Sequence, residues 1–170
     1  MLTYRLARPE DLPQIVAIYN STIASRMVTA DTEAVSVASR QAWFEAHHPD
    51  MQPPRPLWVV DGSRPGELDG WLSFSSFYGR PAYAGCAEVS IYLAPQARGR
   101  GLGRALLDAA IQAAPALGLH SLLGFIFGHN APSLRLFEAA GFHTWGALPG
   151  VAILDGVARD LLILGRKLDA

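Results

Sequence analysis

The chain has 170 residues, half of them apolar and 17% charged, a composition that supports one globular domain over residues 1–170 and excludes a disordered polar chain. A net charge of -1 offers no concentrated basic face, so nucleic acid is not an expected partner. Lys167 is the only lysine among fourteen basic residues, which removes the Walker and kinase arrangements that need an internal lysine.

The opening stretch, MLTYRLARPED, carries arginines and acids where a signal peptide needs an apolar run, and no stretch of about 18 apolar residues follows anywhere. A cytoplasmic protein with no membrane partner is expected. Residues 3–8 read as a first strand. PEDLPQIVAIYN then starts a helix, with acids in its first turn and Leu12, Ile15, Ile18 and Tyr19 at helical spacing. A second helix is predicted over 36–47, carrying Val37, Trp43 and Phe44. The proline-rich HHPDMQPPRP cannot continue it.

Strands are predicted at 57–61 and 70–77, joined by the turn-rich GSRPGELD. The next strand, 87–93, begins beside Cys86, the single cysteine; no intrachain disulfide can form, which suits a reducing compartment, and Cys86 reads as a small buried hydrophobe. Period two places Glu88, Ser90 and Tyr92 on one face of this strand and Val89, Ile91 and Leu93 on the other. A helix is predicted over 102–114, then a strand over 121–127 whose unbroken apolar run implies cover on both faces. Asn130 is placed to cap a last helix ending at Gly141. Two strands, 142–147 and 158–166, close the chain with a long connection between them. The order implies an α/β domain with a mixed sheet.

The stretch PQARGRGLGRALL (95–107) sets Gly99, Gly101 and Gly103 among Arg98, Arg100 and Arg104 where an apolar helix begins. Glycine is costly at a helix start. Bare N–H groups converging at a helix N-terminus, with cations at the rim, make a phosphate site. A dinucleotide site is excluded: reading G-x-G-x-x-G from Gly99 or Gly101 ends on Arg104 or Leu106, and the region about 20 residues on, LGLHSLL, has no acid.

The pattern present is R-x-x-G-x-G at Arg98, Gly101 and Gly103, preceded by Q-x-x-G-x-G at Gln96, Gly99 and Gly101. In this the chain resembles the GNAT superfamily of acyl-coenzyme A N-acyltransferases. HNAPSLRLFEAAGF (129–142) resembles the superfamily's N-x-x-S…GF segment. IYN (18–20), RPAYA (80–84) and EVSIYL (88–93) are similar to the branch of phosphinothricin and methionine sulfoximine acetyltransferases. The resemblance spans nearly the whole chain. It implies a mixed, mostly antiparallel sheet flanked by helices and splayed at the acyl-coenzyme A site, with acetyl-CoA as co-substrate and no metal. It places the pyrophosphate on Arg98, Gly99, Arg100, Gly101, Leu102 and Gly103, and the pantetheine arm beside Asn130 and Ser133. A backbone N–H near Tyr92 or Leu93 would hold the carbonyl oxygen.

Acyl transfer to an amine needs a base for the ammonium proton, a donor for the carbonyl oxygen and an exit for the thiolate. Glu88, an acid within an otherwise apolar strand and the position of the family's proposed base, is the catalytic candidate, acting through a water. Many members carry Tyr four residues after the Ser133 position; here Phe137 cannot donate a proton. Tyr92 is a substitute, but a thiol with pKa near 8.5 leaves without strong acid help, so no general acid is assigned. Arg80 and Tyr83, in the loop before the catalytic strand, are the substrate candidates with Glu88 and Ser90, because a planar guanidinium suits a carboxylate. Arg26 is a weaker candidate. Only Asp31 and Glu33 stand near the first helix pair, too few acids for a cationic acceptor. The five histidines lack metal-ligand spacing and read as structural or surface residues.

The expected reaction moves acetyl from acetyl-CoA to the primary amine of a small, carboxylate-bearing acceptor such as phosphinothricin or methionine sulfoximine. A protein or peptide N-terminal acetyltransferase and a silent coenzyme A-binding module are the alternatives. Two departures bear on the acceptor: the branch's G-R-W-x-D stretch is GVARD here, without Trp, and residues 24–33 lack an aromatic. A homodimer is implied by the resemblance, with residues 49–56 and the aromatics Trp71, Phe77 and Tyr78 as the expected apolar surface.

Overall fold

Alternation along the strands decides which side chain faces which layer. The computed structural model describes residues 1–169. Its strands are β1 (Arg5–Leu6), β2 (Leu57–Asp61), β3 (Leu68–Ser76), β4 (Cys86–Leu93), β5 (Ser121–Phe127), β6 (His143–Leu154) and β7 (Val157–Lys167). Its helices are α1 (Leu12–Asn20), α2 (Gln41–Glu45), α3 (Leu102–Ala113) and α4 (Ala131–Ala139). One seven-stranded sheet runs β1-β2-β3-β4-β5-β7-β6, antiparallel at every junction except β4–β5.

The two sheet faces carry separate cores. Trp58, Val60, Leu72, Phe74, Ala87 and Val89 point to the side covered by Leu106, Leu107 and Ala110 of α3 and Phe137 of α4. Their neighbours Leu57, Val59 and Trp71 point the other way, against Ile15 and Ile18 of α1. β5 is covered on both faces, as its apolar run requires.

The parallel β4–β5 junction is short. Pairing covers Cys86, Ala87 and Glu88 against Ser121, Leu122 and Leu123, and then stops. Beyond Glu88 the two strands diverge, and the remaining length of β4 meets no strand on that side. The expected splay is present.

Four expectations need correction. The first strand covers two residues, Arg5–Leu6, not 3–8. The helix expected over 36–47 is a 3-10 turn, Ala38–Arg40, followed by the five-residue α2. The long connection expected before the last strand is instead a hairpin: β6 runs on to Leu154 and turns through Asp155 and Gly156, both at positive φ. Pro149 and Gly150 lie inside β6 at a break in register between Leu148 and Ala152. Finally, Trp71 is not surface; it is 4% exposed, and its indole N–H donates to the Ile15 carbonyl at 3.1 Å. The proline-rich segment is also tied in, because the buried Arg55 donates to the Ala84 and Pro54 carbonyls and Ser76 Oγ.

Candidate active site

Cross-strand pairing builds the floor of a cavity of about 190 Å³ between the sheet and α1/α2. Trp71 stands opposite Tyr92, Ser73 opposite Ser90 and Ser75 opposite Glu88, all six on one face. The Trp71 and Tyr92 rings stack at 4.5 Å and close one end. Two small serines facing Glu88 and Ser90 leave the hollow that larger β-formers would fill. Tyr19 and Ile15 from α1, Trp43 from α2 and Arg40 from the preceding 3-10 turn make the remaining walls.

Glu88 opens into this cavity. Burial pushes its carboxyl pKa up, and the Ser90 hydroxyl, a long 3.5 Å contact, draws it slightly down. A carboxylate raised toward neutrality is a better proton acceptor at physiological pH than a solvated one. The Tyr92 hydroxyl is pushed far above its ordinary value, first by burial and then by the nearby Tyr19 and Glu88. It therefore holds its proton tightly and makes a poor acid.

On the opposite side of β4 a groove of about 600 Å³ fills the splay. Val89, Ile91 and Leu93 of β4 face Phe125 and Ile126 of β5 across it, with Asn130, Ser133, Leu136 and Phe137 beyond. The Asn130 side chain accepts from the Ser133 N–H and so caps α4, which fixes both residues at the groove wall. Phe137 is buried against Phe142 at 4.9 Å, a core residue with no proton to give.

The groove ends on the glycine loop. Gly99 and Gly101 adopt φ of +71° and +80°, the left-handed region open to glycine, and Gly101 leads directly into α3. Among the described residues, the N–H groups from Gly99 to Arg104 donate to no protein acceptor. A Cβ at Gly99 or Gly101 would meet no protein atom within 4 Å, so these glycines answer to backbone conformation and to what approaches from outside. Unpaired donors at the start of a twelve-residue helix fit a diphosphate.

The structure sorts the sequence candidates. Tyr92, Leu93, Arg98, Gly99, Gly101, Leu102, Gly103, Asn130 and Ser133 line the groove. Arg98 also donates to the Leu93 carbonyl and Ser21 Oγ, pinning the loop to β4 and α1. Arg100 is not on the groove wall, because its guanidinium turns back to the Gln96 carbonyl; Arg104, one turn on, lines the groove instead. Glu88 and Ser90 lie in the smaller cavity between the sheet and α1/α2. Arg80 and Tyr83 do not: both are exposed in the loop before β4 and line neither cavity. Arg26 is used structurally, with Nε 3.0 Å from Asp155 and its own carbonyl bonded to His129 Nε2.

Sequence reasoning missed Arg40, Tyr19, Trp43, Ser73 and Ser75. The serine pair was visible as the small positions alternating in GWLSFSS, once the strand was paired with EVSIY. Arg40 had no such signal, since its wall position depends on how the 38–45 segment folds over the sheet. The two cavities share Ser90 and Tyr92, so the groove and the smaller cavity meet at these two residues of β4.

Residues 1–143 match the family model for the Acetyltransferase (GNAT) domain. The chain is 54% identical over 167 residues to a Bacillus subtilis protein that carries the provisional name phosphinothricin acetyltransferase, covering 98% of this chain and 99% of that one. It is 35% identical over 159 residues to the L-methionine sulfoximine/L-methionine sulfone acetyltransferase of Pseudomonas paraeruginosa, covering 94% and 90%. A phosphinothricin acetyltransferase from Sinorhizobium meliloti, solved in complex with acetyl-CoA, superposes with a TM-score of 0.89 at 30% identity, over 98% of this chain and 88% of that one. The chain belongs to the GNAT family of acetyl-CoA-dependent N-acetyltransferases.

Proposed function

We propose that this enzyme acetylates the primary amine of a small, carboxylate-bearing acceptor, an amino acid of the phosphinothricin or methionine sulfoximine type. The observation that carries the reading is the meeting of an anion-accepting groove and a small, partly aromatic cavity at Ser90 and Tyr92, with Glu88 inside the cavity. Relatives named for phosphinothricin and methionine sulfoximine support the acceptor class.

Acetyl-CoA supplies the activated thioester. The unpaired N–H groups of 99–104 hold its pyrophosphate, and Asn130 and Ser133 flank the arm that leads to the reacting carbonyl. Glu88 takes a proton from the acceptor ammonium through a water, leaving a neutral amine as nucleophile. A backbone N–H near Tyr92 or Leu93, freed by the splay, stabilises the charge that develops on the carbonyl oxygen. The C–N bond forms, the C–S bond breaks and the sulfur departs as thiolate, while the remaining excess proton on the former amine nitrogen passes to solvent to leave the neutral amide. With Phe137 in the core and Tyr92 reluctant to ionise, no side chain is assigned as acid to the sulfur.

The cavity's volume favours a small molecule over a peptide chain, which needs an open groove. Thiol release measured across amino acids, sulfoximines, polyamines and peptides tests this. Turnover confined to amino acids and their analogues is expected, whereas preferential turnover of peptides or polyamines would remove the acceptor assignment.

The enzyme is further proposed to be one domain, a homodimer and cytoplasmic, the single cysteine suiting a reducing compartment. Support for the dimer comes from exposed apolar surface. Tyr78 is 78% exposed beside Phe77 and Tyr83, and Trp145, Val151, Ile153 and Val157 lie exposed on the terminal hairpin. Light scattering should give twice the monomer mass.

A further inference from the structure

Arg40 is the only cation and Glu88 the only anion among the residues lining the acceptor-side cavity. Arg40 ends the 3-10 turn Ala38–Arg40, and its guanidinium carbon lies 5.0 Å from the centroid of the Tyr19 ring. That ring is itself held, because the Tyr19 hydroxyl bonds to both Asp31 and Thr29. Asp31 also accepts from Arg40 Nη2 at 3.0 Å. A guanidinium has five N–H donors in a planar fork. Among the described residues, Arg40 Nε and Nη1 have no hydrogen-bond acceptor, although the side chain is only 31% exposed. The head is thus held by Tyr19 and by Asp31, with donors left over on a residue that lines the cavity.

We propose that Arg40, not Arg80, binds the carboxylate of the acceptor and thereby sets specificity for amino acids over simple amines. The proposal rests on the reading above that the acceptor carries an acid. The chemistry of the cavity then matches an amino acid end to end: the amine faces Glu88 and the Ser73, Ser75 and Ser90 hydroxyls, the carboxylate takes the spare donors of Arg40, and the side chain lies along Trp43, Trp71 and Tyr92. Arg80 lines neither cavity of the single chain and has no framing partners among its described residues; it stands between Tyr78 and Tyr83, on the surface proposed above for the dimer. Asp31 acts as a positioning residue, holding the guanidinium over Tyr19.

The test compares R40A, R40K and R80A on two acceptors, L-methionine sulfone and its methyl ester, which keeps the amine and loses the charge. R40A should raise KM for the free acid by roughly ten- to a hundredfold and change KM for the ester by less than about twofold. R40K should recover part of the loss, since it restores charge without the planar fork. Affinity for coenzyme A, measured by calorimetry, should stay unchanged and reports that each variant is folded. Equal losses on acid and ester for R40A would make Arg40 structural and overturn the proposal. A selective loss in R80A with none in R40A would overturn it in favour of the loop. If neither variant separates acid from ester while the unmodified enzyme acetylates both equally well, the carboxylate-bearing acceptor itself is wrong, and the Arg40 proposal falls with it.

Discussion

The two sides of β4 are built from different material. The groove proposed for the cofactor has apolar side-chain walls, but its polar end is backbone: β4 loses its neighbour on one side after Glu88, and the loop N–H groups from Gly99 to Arg104 find no partner among the described residues. The acceptor cavity is made of side chains gathered from α1, a 3-10 turn, α2, β3 and β4. A backbone site tolerates many side chains around it but constrains φ, so it leaves glycines as its trace. A side-chain site can be rebuilt residue by residue without altering the fold. On the proposed assignment, that difference separates a part constrained by acetyl-CoA from a part that can vary with the acceptor.

Glu88→Gln should break chemistry while leaving the groove untouched. It keeps size and hydrogen bonding and removes the base, so kcat should fall by roughly 10²-fold or more with acetyl-CoA affinity unchanged. Burial raises the Glu88 carboxyl, so the unmodified enzyme should lose activity as pH drops below that raised value and the carboxyl takes a proton. The deficit of the variant should shrink as pH rises toward the amine's own pKa, because the acceptor then arrives deprotonated. A small deficit that ignores pH would move the proton path from Glu88 to solvent water.

The reciprocal experiment is Gly101→Val. At φ +80° a β-branched residue is strained by about 1–3 kcal/mol, so Tm should fall by several degrees. The added branches also stand where the pyrophosphate approaches, and coenzyme A affinity should weaken roughly tenfold or more. Acceptor KM at saturating acetyl-CoA should hardly move. Calorimetry that finds unchanged coenzyme A affinity in the folded variant would dismiss the loop as a phosphate site.

The same division explains what the sequence disclosed. Glycines at alternate positions, the Asn130 cap, and the Glu88/Ser90/Tyr92 face are local signals, and each is placed by its own neighbours in the chain. β2 and β5 fall where period and apolar run put them. The cavity wall was hidden because it depends on packing across distant segments: Arg40 reaches it only after a turn folds over Tyr19, and Trp71 is buried against α1, Trp43 and Tyr92, with the Ile15 carbonyl accepting its indole N–H. The terminal hairpin also carries a local signal: Asp155-Gly156 between apolar runs is a strong two-residue turn signal, and the long connection expected there is instead strand.

A smaller effect should appear at the root of α1, which carries the Ile15, Val16 and Tyr19 wall of the cavity. Asp11 precedes that helix and receives both Arg5 Nη1 at 2.8 Å and the Arg8 N–H at 2.7 Å, while Arg5 also pairs with Asp61 of β2. Burial alone would raise the Asp11 carboxyl, but the Arg5 and Arg8 hydrogen bonds outweigh it and hold the pKa below the ordinary value. A carboxyl with a lowered folded pKa adds stability that is fully present above its unfolded value, near 3.9, and is lost as pH falls from there through the folded value. Asp11→Asn should therefore cost about 1–2 kcal/mol at neutral pH, the partial exposure of Arg5 keeping the loss at the lower end for a charge-assisted pair. The variant should also lose less than the unmodified enzyme on further acidification, because the group that titrates is gone. Since α1 walls the cavity and contributes little to the groove, any functional cost should fall on acceptor KM before coenzyme A affinity. Parallel acid-denaturation profiles for the two proteins would show that Asp11 does not titrate as described.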